Sequence, residues 1–177
     1  MDHPNARPTE LLLLRHGIAV ERGGGGPDAE RALTGRGRRR TEQVARRLVD
    51  LGLAVDQLLS SPLVRARQTA EIAVAVGLAP ELELCGALAP GADPLPQLQA
   101  WWPHAAAAAQ PPRRLGLVGH EPDLGRLAAR LIGAREGALA LRKAGVVLLE
   151  LAGAGGAEPT APRARLRLLL SPRVLLG

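Results

Sequence analysis

The chain has 177 residues, a length that predicts a single domain over residues 1–177 with enough chain to bury a core. Aromatic residues make up 1% of it, with no Phe and no Tyr, which excludes recognition of nucleotide bases by stacked Phe or Tyr side chains. The formal net charge is +6, but most basic residues are arginines spread over predicted helices, so we expect no specific nucleic-acid partner.

The cysteine count and the N-terminal segment bear on the cellular compartment. Cys85 is the one cysteine of the sequence, so an intramolecular disulfide is excluded. Residues 1–9 are polar and predict a flexible lead-in rather than a secretory signal, and no apolar run is long enough to cross a bilayer. We therefore expect a cytoplasmic protein with no membrane partner.

The first predicted element is a strand that contains four consecutive leucines, residues 11–14. A run without polar alternation is typical of a strand covered on both faces, as in the middle of a parallel sheet. Arg15, His16 and Gly17 follow at its carboxyl end, where α/β sheets hold small anionic ligands. A guanidinium matches phosphate oxygens, and an imidazole can act as nucleophile or base near neutral pH. The tripeptide favours phosphate chemistry, although a lone histidine is also compatible with a structural role.

A loop is predicted over residues 18–31, and it contains four consecutive glycines at 23–26. Such a run resists ordering because each glycine loses much backbone entropy on folding. We interpret the loop either as a mobile flap beside the first turn or as a tolerated surface insertion. Thr34 then predicts the N-cap of a helix over residues 35–51, which has apolar residues at helical spacing and arginines on its outer face.

A second strand is predicted over residues 55–60, and a turn leads from it into a helix over residues 63–76. The first turn of this helix carries Arg65 and Arg67. Residues two apart on a helix point in different directions, so only one of the two guanidiniums is expected to face an anion at the sheet edge.

The rest of the chain continues the alternation of strand and helix. A third buried strand is predicted over residues 115–118, and it is followed by His120 and then by a helix. Trp101 and Trp102 lie on a preceding helix, where they either pack into the core or cap a pocket. This order predicts a three-layer α/β domain with a mostly parallel central sheet. The remaining predicted strands are an edge strand at 82–84 and two closing strands, a hairpin or sheet edge, at 146–151 and 164–170.

Three motifs follow one another in the chain: Arg15-His16-Gly17, then Ser61-Pro62-x-x-Arg65-Ala66-x-Gln68-Thr69, then Val118-Gly119-His120-x-Pro122. In this order they resemble the histidine phosphatase superfamily. The compact length and the element Leu33-Thr34-x-x-Gly37 resemble its small bacterial branch, the SixA-type phosphohistidine phosphatases. The resemblance covers about residues 11–125 and implies the phosphoglycerate-mutase-like fold.

The resemblance also implies the site residues and the reaction. His16, Arg15, Arg65 and His120 would be catalytic, and Gly17 would join Arg15, Arg65 and His120 in binding phosphate. The reaction implied is a phosphatase without metal or cofactor that forms a phosphohistidine intermediate at His16. Two histidines could instead bind zinc, but Arg15 beside one ligand would repel a dication, and no matching Cys or carboxylate spacing occurs.

The general acid that larger superfamily members use is missing from its expected region, where this chain has Gly86 and Ala87. Glu21 is the candidate substitute, with Asp28 and Glu121 as alternatives. An alkoxide leaving group needs a proton far more than an imidazole does, so the gap favours phosphohistidine as substrate.

Three hypotheses follow for the function. The first is a phosphatase acting on phosphohistidine in a protein partner. The second is a phosphatase or mutase for small phosphorylated molecules, and the third is a non-catalytic phosphate-binding module. Arg31 and Thr34 either approach the site or anchor the loop, and Lys143-Ala144-Gly145 is given a structural role only.

Overall fold

The computed structural model describes residues 10–21, 23, 26–107, 113–151 and 163–177, with only the backbone described at 102–107. The predicted lead-in lies outside these residues, as do three residues of the glycine-containing loop. The described chain forms one six-stranded sheet with helices on both faces. The predicted three-layer α/β fold class is therefore confirmed.

The predicted elements occur in the expected order. The strands are β1 (Glu10–Arg15), β2 (Gln57–Ser60), β3 (Glu83–Leu84), β4 (Arg114–Gly119), β5 (Val146–Leu151) and β6 (Ala164–Leu170). The helices are α1 (Gly35–Asp50), α2 (Val64–Ala75), α3 (Leu95–Ala107), α4 (Asp123–Ile132) and α5 (Pro172–Leu176), with short 3-10 helices at Asp28–Glu30 and Gly86–Leu88. Within the described ranges, no helix is both long enough and apolar enough to span a bilayer.

One observed boundary differs from its prediction by more than one residue: β2 begins at Gln57, whereas the sequence predicted a start at residue 55. The carboxylate of Asp56 accepts hydrogen bonds from the backbone amides of Arg113 and Arg114, both at 2.8 Å. The amide of Val55 donates to the Leu78 carbonyl at 2.7 Å, outside the sheet, so the regular pairing with β4 starts only at Gln57.

The strand order β3-β2-β4-β1-β5-β6 brings several carboxyl ends to one edge of the sheet. β1 pairs in parallel with β4, and β2 pairs in parallel with both β3 and β4. β5 runs antiparallel to β1, and β6 pairs antiparallel with β5, so the two predicted closing strands form one edge of the sheet. The turns that follow β1, β2 and β4 therefore lie side by side.

The leucines of β1 separate two apolar clusters, one on each face of the sheet. Leu12 and Leu14 pack with residues of α1 and α2, whereas Leu11 and Leu13 pack with residues of α3 and α4. All four are at most 2% exposed, as expected for a strand covered on both faces. Full burial of a leucine side chain contributes about 1.5–3 kcal/mol, so β1 is anchored strongly at the centre of the fold.

Trp101 lies far from the turns at the carboxyl ends of the strands. Its indole Nε1 donates to Gln57 Oε1 at 2.8 Å, at the amino end of β2, and the side chain packs against an apolar cluster. The suggestion that Trp101 caps a pocket is therefore wrong, and the alternative of core packing holds. The side chain of Trp102 lies outside the described part of the chain.

Two glycines allow α1 to lie directly against the turn after β1. A Cβ on Gly17 would lie 2.2 Å from Thr41 Oγ1, and one on Gly37 would lie 2.0 Å from the Ile18 carbonyl oxygen. The Thr34 hydroxyl accepts from the amide of Gly37 at 2.9 Å, which confirms the predicted N-cap. The amide of Thr34 also donates to the Ile18 carbonyl at 2.9 Å, so this contact fixes the turn to the start of α1.

Gly37→Ala is expected to lower the free energy of unfolding by about 2 kcal/mol or more, because the new methyl group overlaps a backbone carbonyl that cannot move away cheaply. Gly35→Ala is the matched control in the same helix, since its Cβ would meet only the end of the Arg39 side chain, at 3.6 Å. Its effect should stay within about 1 kcal/mol. Urea unfolding measures both, and equal effects would contradict this account of Gly37.

Candidate active site

The turns after three neighbouring parallel strands bring the predicted residues together. Arg15 ends β1 and is followed by His16, His120 follows β4 directly, and Arg65 lies in the first turn of α2, after β2. The ring centroids of His16 and His120 are 5.1 Å apart. Arg65 Nε lies 3.3 Å from His16 Nε2. Residues that are about 50 and 100 positions apart in sequence therefore meet at one edge of the sheet.

The hydrogen bonds of His16 determine its tautomer. Nδ1 lies 2.7 Å from the carbonyl oxygen of Gly17, which only accepts, so Nδ1 carries the proton and donates it. Nε2 is left with its lone pair and accepts from Arg65 Nε. The side chain is 6% exposed. His16 thus presents an unprotonated Nε2 toward a cation.

The pKa of His16 is lowered from 6.5 to about 3. Burial is the largest cause, and the positive charges of His120, Arg65 and Arg15 lower the pKa further, while the hydrogen bond to Gly17 opposes the shift. Burial is thus a stronger reason than the neighbouring cations for a neutral His16. A neutral imidazole is the form in which a histidine can act as a nucleophile.

His120 is held by Ser61, a residue to which the sequence assigned no role. His120 Nε2 lies 2.8 Å from Ser61 Oγ, and its Nδ1 is buried without a hydrogen-bond partner among the described residues. If the Ser61 hydroxyl donates to Nε2, then Nδ1 carries the proton and can donate to an anion. The pKa of His120 is lowered to about 4, first by burial and then by Arg65.

Arg65 connects the histidines to the loop that precedes α1. Its side chain is buried, with Nη1 donating to the Asp28 carbonyl at 2.7 Å and Nη2 to Asp28 Oδ2 at 3.0 Å. Arg31 Nε donates to the other carboxylate oxygen of Asp28 at 2.9 Å. Arg67 lies on the surface beside Glu71, at 3.4 Å. The guanidinium that faces the imidazoles is therefore that of Arg65, as the sequence predicted.

Arg15 is fixed by the segment before β5. Its Nη1 donates to the Leu141 carbonyl at 2.7 Å, and the amide of Ala144 lies 3.1 Å from the carbonyl oxygens of both Arg15 and His16. Ala144 has a φ of 57°, in the left-handed region that non-glycine residues rarely adopt. The Lys143-Ala144-Gly145 element thus has the structural role expected of it, because it holds the backbone of the two site residues.

The Gln-Thr pair of α2 fastens the turns around the site. The amide of Gly17 donates to Thr69 Oγ1 at 3.0 Å, and the amide of Leu33 donates to Gln68 Oε1 at 2.8 Å. Sequence reasoning missed these roles, although the two residues stood in a recognised motif. The Gly17 amide is thus bonded within the protein, and its missing side chain makes room for Thr41, so the role of Gly17 in phosphate binding stays a prediction.

Arg31 and Thr34 both anchor the loop that precedes α1. Arg31 Nη1 donates to the Val20 carbonyl at 2.6 Å, in addition to its ion pair with Asp28. Thr34 bonds to the Ile18 carbonyl and caps α1. The sequence left open whether these residues approach the site or anchor the loop, and the contacts of both are those of loop anchors.

The candidate proton donors lie in three different environments. Glu21 is exposed in the wall of a cleft of about 750 Å³ that Asp28 and Arg31 also line, and it has no hydrogen bond or ion pair with any described residue. The Asp28 carboxylate bridges Arg31 and Arg65. Glu121 has a pKa raised by burial, and the backbone amides of Leu141 and Gly125 oppose that shift.

Metal-binding groups are a separate question for the same site. In the described part of the chain, no group of three or more His, Cys, Asp or Glu side chains is placed to hold a metal ion. The two imidazoles are instead accompanied by guanidiniums, which are typical ligands of phosphate oxygens. The donor set therefore fits a tetrahedral oxyanion.

Comparisons with known proteins agree with this geometry. A family model described as histidine phosphatase superfamily (branch 1) matches residues 11–86, which include Arg15, His16 and Arg65. An uncharacterized protein of Picosynechococcus sp. is 43% identical over 168 residues, covering 94% of this chain and 99% of that protein. The mitochondrial serine/threonine-protein phosphatase Pgam5 of Drosophila ananassae is 36% identical over 74 residues, 40% of this chain and 25% of its own length.

Solved structures show the same fold. The protein histidine phosphatase SixA in complex with tungstate has a TM-score of 0.77 at 22% identity, covering 93% of this chain and 98% of that one. A protein assigned as phosphohistidine phosphatase SixA from Agrobacterium tumefaciens has a TM-score of 0.72 at 26% identity, with coverages of 93% and 99%. A mycobacterial glucosyl-3-phosphoglycerate phosphatase has a TM-score of 0.71 at 20% identity, with coverages of 92% and 99%. The shared fold therefore does not select one class of substrate.

The lowered pKa values of His16 and His120 predict how stability depends on pH. An unfolded chain binds more protons than the folded one between pH 6.5 and about 4, so the free energy of unfolding should fall as the pH decreases through this window. Each histidine contributes a slope of at most about 1.4 kcal/mol per pH unit. Urea unfolding between pH 7 and pH 5 should show a shallower slope in His16→Asn and in His120→Asn. Slopes equal to that of the native chain would contradict the prediction.

Proposed function

The chain belongs to the histidine phosphatase superfamily, and from this premise we propose that it is a phosphatase that forms a phosphohistidine at His16. The substrate proposed is phosphohistidine in a protein partner. The observation that carries the proposal is the buried, neutral His16, whose Nδ1–H is bonded to Gly17 and whose Nε2 faces Arg65. A cytoplasmic location is part of the proposal and rests on the sequence alone.

In the first step, His16 Nε2 attacks the phosphorus atom of the substrate. A bond forms between Nε2 and phosphorus as the bond from phosphorus to the leaving nitrogen breaks. The substrate imidazole departs as a neutral ring if its other nitrogen already carries a proton. The Gly17 carbonyl stabilises the positive charge that the His16 ring gains, because it accepts the hydrogen bond from Nδ1.

Three side chains would stabilise the charge on the phosphoryl oxygens. Arg15 and Arg65 supply guanidiniums, which match phosphate oxygens in geometry and charge. His120 would donate from Nδ1, the ring nitrogen that has no partner among the described residues. Arg65 Nε donates to His16 Nε2 in the structure, so this hydrogen bond would pass to a phosphoryl oxygen as the Nε2 lone pair turns to phosphorus. Asp28 holds the rest of the Arg65 guanidinium in place meanwhile.

In the second step, water attacks the phosphorus atom of phosphorylated His16. The bond between phosphorus and Nε2 breaks with its electron pair returning to Nε2, so the neutral imidazole is restored. The water's two protons leave with the phosphate as dihydrogen phosphate. Splitting the transfer into two displacements replaces one difficult step by two easier ones. The same cationic groups serve both displacements because the phosphoryl group stays at one place.

The environments of the acidic residues favour an imidazole as leaving group. Glu21 forms no hydrogen bond or ion pair with a described residue, Asp28 bridges two arginines, and the Glu121 carboxylate is engaged by the backbone amides of Leu141 and Gly125. Gly86 and Ala87 carry no ionisable group where related enzymes place an acid. An ester would leave as an alkoxide and would need such a donor, whereas a protonated phosphohistidine does not. Phosphohistidine is therefore the substrate that these side chains suit best.

The activity prediction compares phosphohistidine, para-nitrophenyl phosphate and phosphoglycerate as substrates of the native chain and of His16→Ala. We expect turnover of phosphohistidine above that of either ester, and a loss of at least about 1,000-fold in His16→Ala, because the covalent route is removed. Mass spectrometry after alkaline quenching should find the phosphoryl group on His16. Preference for the esters would indicate a small-molecule phosphatase, and no turnover of any substrate would indicate a phosphate-binding module.

Arg65 and Arg67 form a matched pair for testing the phosphate site, because they lie on one turn of α2 and carry the same charge. Arg65→Ala should lower kcat/KM by about 100-fold, as the loss of a charge-assisted contact to a buried phosphoryl group costs several kcal/mol. Arg67→Ala should change kcat/KM by less than about two-fold, since an exposed ion pair contributes little. Similar losses in both variants would contradict the assignment.

A further inference from the structure

A second cleft, with a volume of about 540 Å³, lies beside the catalytic residues, and its walls are strongly cationic. The cationic side chains come from four separate elements of the fold, and among the described residues that line the cleft there is no carboxylate. They are Arg15 at the end of β1, Arg40 of α1, Arg142 and Lys143 of the turn before β5, and Arg173 of α5. We call this group the cationic cleft.

The cationic cleft brings together several side chains whose charges are not balanced by a carboxylate. Arg40, Arg142, Lys143 and Arg173 form no ion pair with any described residue. On the rest of the described surface some arginines, such as Arg36, Arg47 and Arg135, also lack an ion pair, but six exposed or half-buried arginines lie beside a carboxylate. The pairs are Arg46 with Glu42, Arg67 with Glu71, Arg114 with Glu10, Arg126 with Glu136, Arg130 with Asp93 and Arg167 with Glu150.

The charges of the cationic cleft act on one another. The pKa of Arg15 is lowered, first by burial and also by the positive charge of Arg142, while Glu121 opposes the shift. Like charges around a cleft raise its positive potential and increase the local concentration of anions. A bound anion would relieve this repulsion, so the arrangement suits an anionic ligand.

The position of the cationic cleft is tied to that of His16. Arg15 belongs to both the cleft and the catalytic group. The turn that carries Arg142 and Lys143 is bonded to the site backbone, since the Ala144 amide lies 3.1 Å from the carbonyls of Arg15 and His16. Arg15 is thus a wall that the two sites share, and a ligand with a phosphoryl group at His16 can extend along this side chain toward the cleft.

We propose that the cationic cleft binds a second anionic group of the phosphorylated substrate. The substrate class is thereby narrowed to molecules that carry a carboxylate or a second phosphate near the scissile phosphoryl group. In a protein substrate, this group is an acidic side chain next to the phosphohistidine. The proposal rests on the proposed function, because the phosphoryl group at His16 defines which group is the second one.

Binding to His16→Ala tests the proposal without turnover. Isothermal titration calorimetry compares phosphoglycerate with glycerol phosphate, which lacks the carboxylate, and phosphohistidine peptides flanked by Glu with the same peptides flanked by Gln. In at least one pair, the more anionic probe should bind about ten-fold more tightly, a difference of about 1.4 kcal/mol. The small-molecule pair and the peptide pair identify which source supplies the second anionic group.

A triple variant and its matched control locate the effect. Arg142→Ala, Lys143→Ala and Arg173→Ala together should reduce the difference in affinity within a probe pair to less than about two-fold, since the charges that bind the second anionic group are gone. Arg46→Ala, Arg126→Ala and Arg130→Ala together change the net charge by the same amount but lie outside the cleft. This control should preserve the difference in affinity. High salt should also reduce the difference in the unmodified cleft.

Two results would overturn the proposal. One is equal binding within both probe pairs, and the other is a difference that the triple variant leaves unchanged. Failure of the proposed function gives a different pattern, in which the native chain turns over no phosphohistidine while the charge-dependent binding to His16→Ala persists. The two proposals can therefore fail separately.

Discussion

The hydrogen bond from His16 Nδ1 to the carbonyl oxygen of Gly17 is the contact on which the proposed chemistry depends. It places the proton on Nδ1, so the lone pair lies on Nε2, where Arg65 approaches. Burial keeps the ring neutral by lowering its pKa to about 3. A histidine with the other tautomer, or one that was exposed and protonated, would offer no nucleophilic nitrogen at this position.

The rest of the fold holds this contact in place. β1 is covered on both faces, and its carboxyl end lies beside that of β4, so His16 and His120 meet. The start of α1 lies against the turn because Gly17 and Gly37 have no side chains. Thr69 and Ala144 bond to the backbone of the turn from two other elements. The site is thus supported mainly by contacts to the backbone of the turn, next to a strand that is buried in a leucine-rich core.

Much of this arrangement could be predicted from the sequence because its signals are local. The unbroken leucines predicted a central strand, and Thr34 predicted a helix start. Long-range contacts between side chains have no such signal, so the link from Ser61 to His120 and the bridge of Asp28 between Arg31 and Arg65 were not foreseen. The cationic cleft was also missed, because its charges come from four elements that are distant in sequence.

A crystal structure of the native chain with orthovanadate tests the central claim most directly, because vanadate imitates the phosphoryl group in transfer. The account predicts vanadium bonded to His16 Nε2, with its oxygens contacted by Arg15, Arg65 and His120 Nδ1. His16 Nδ1 should still donate to the Gly17 carbonyl in that complex. Vanadate bound away from Nε2, or bonded to His120 instead, would contradict the account.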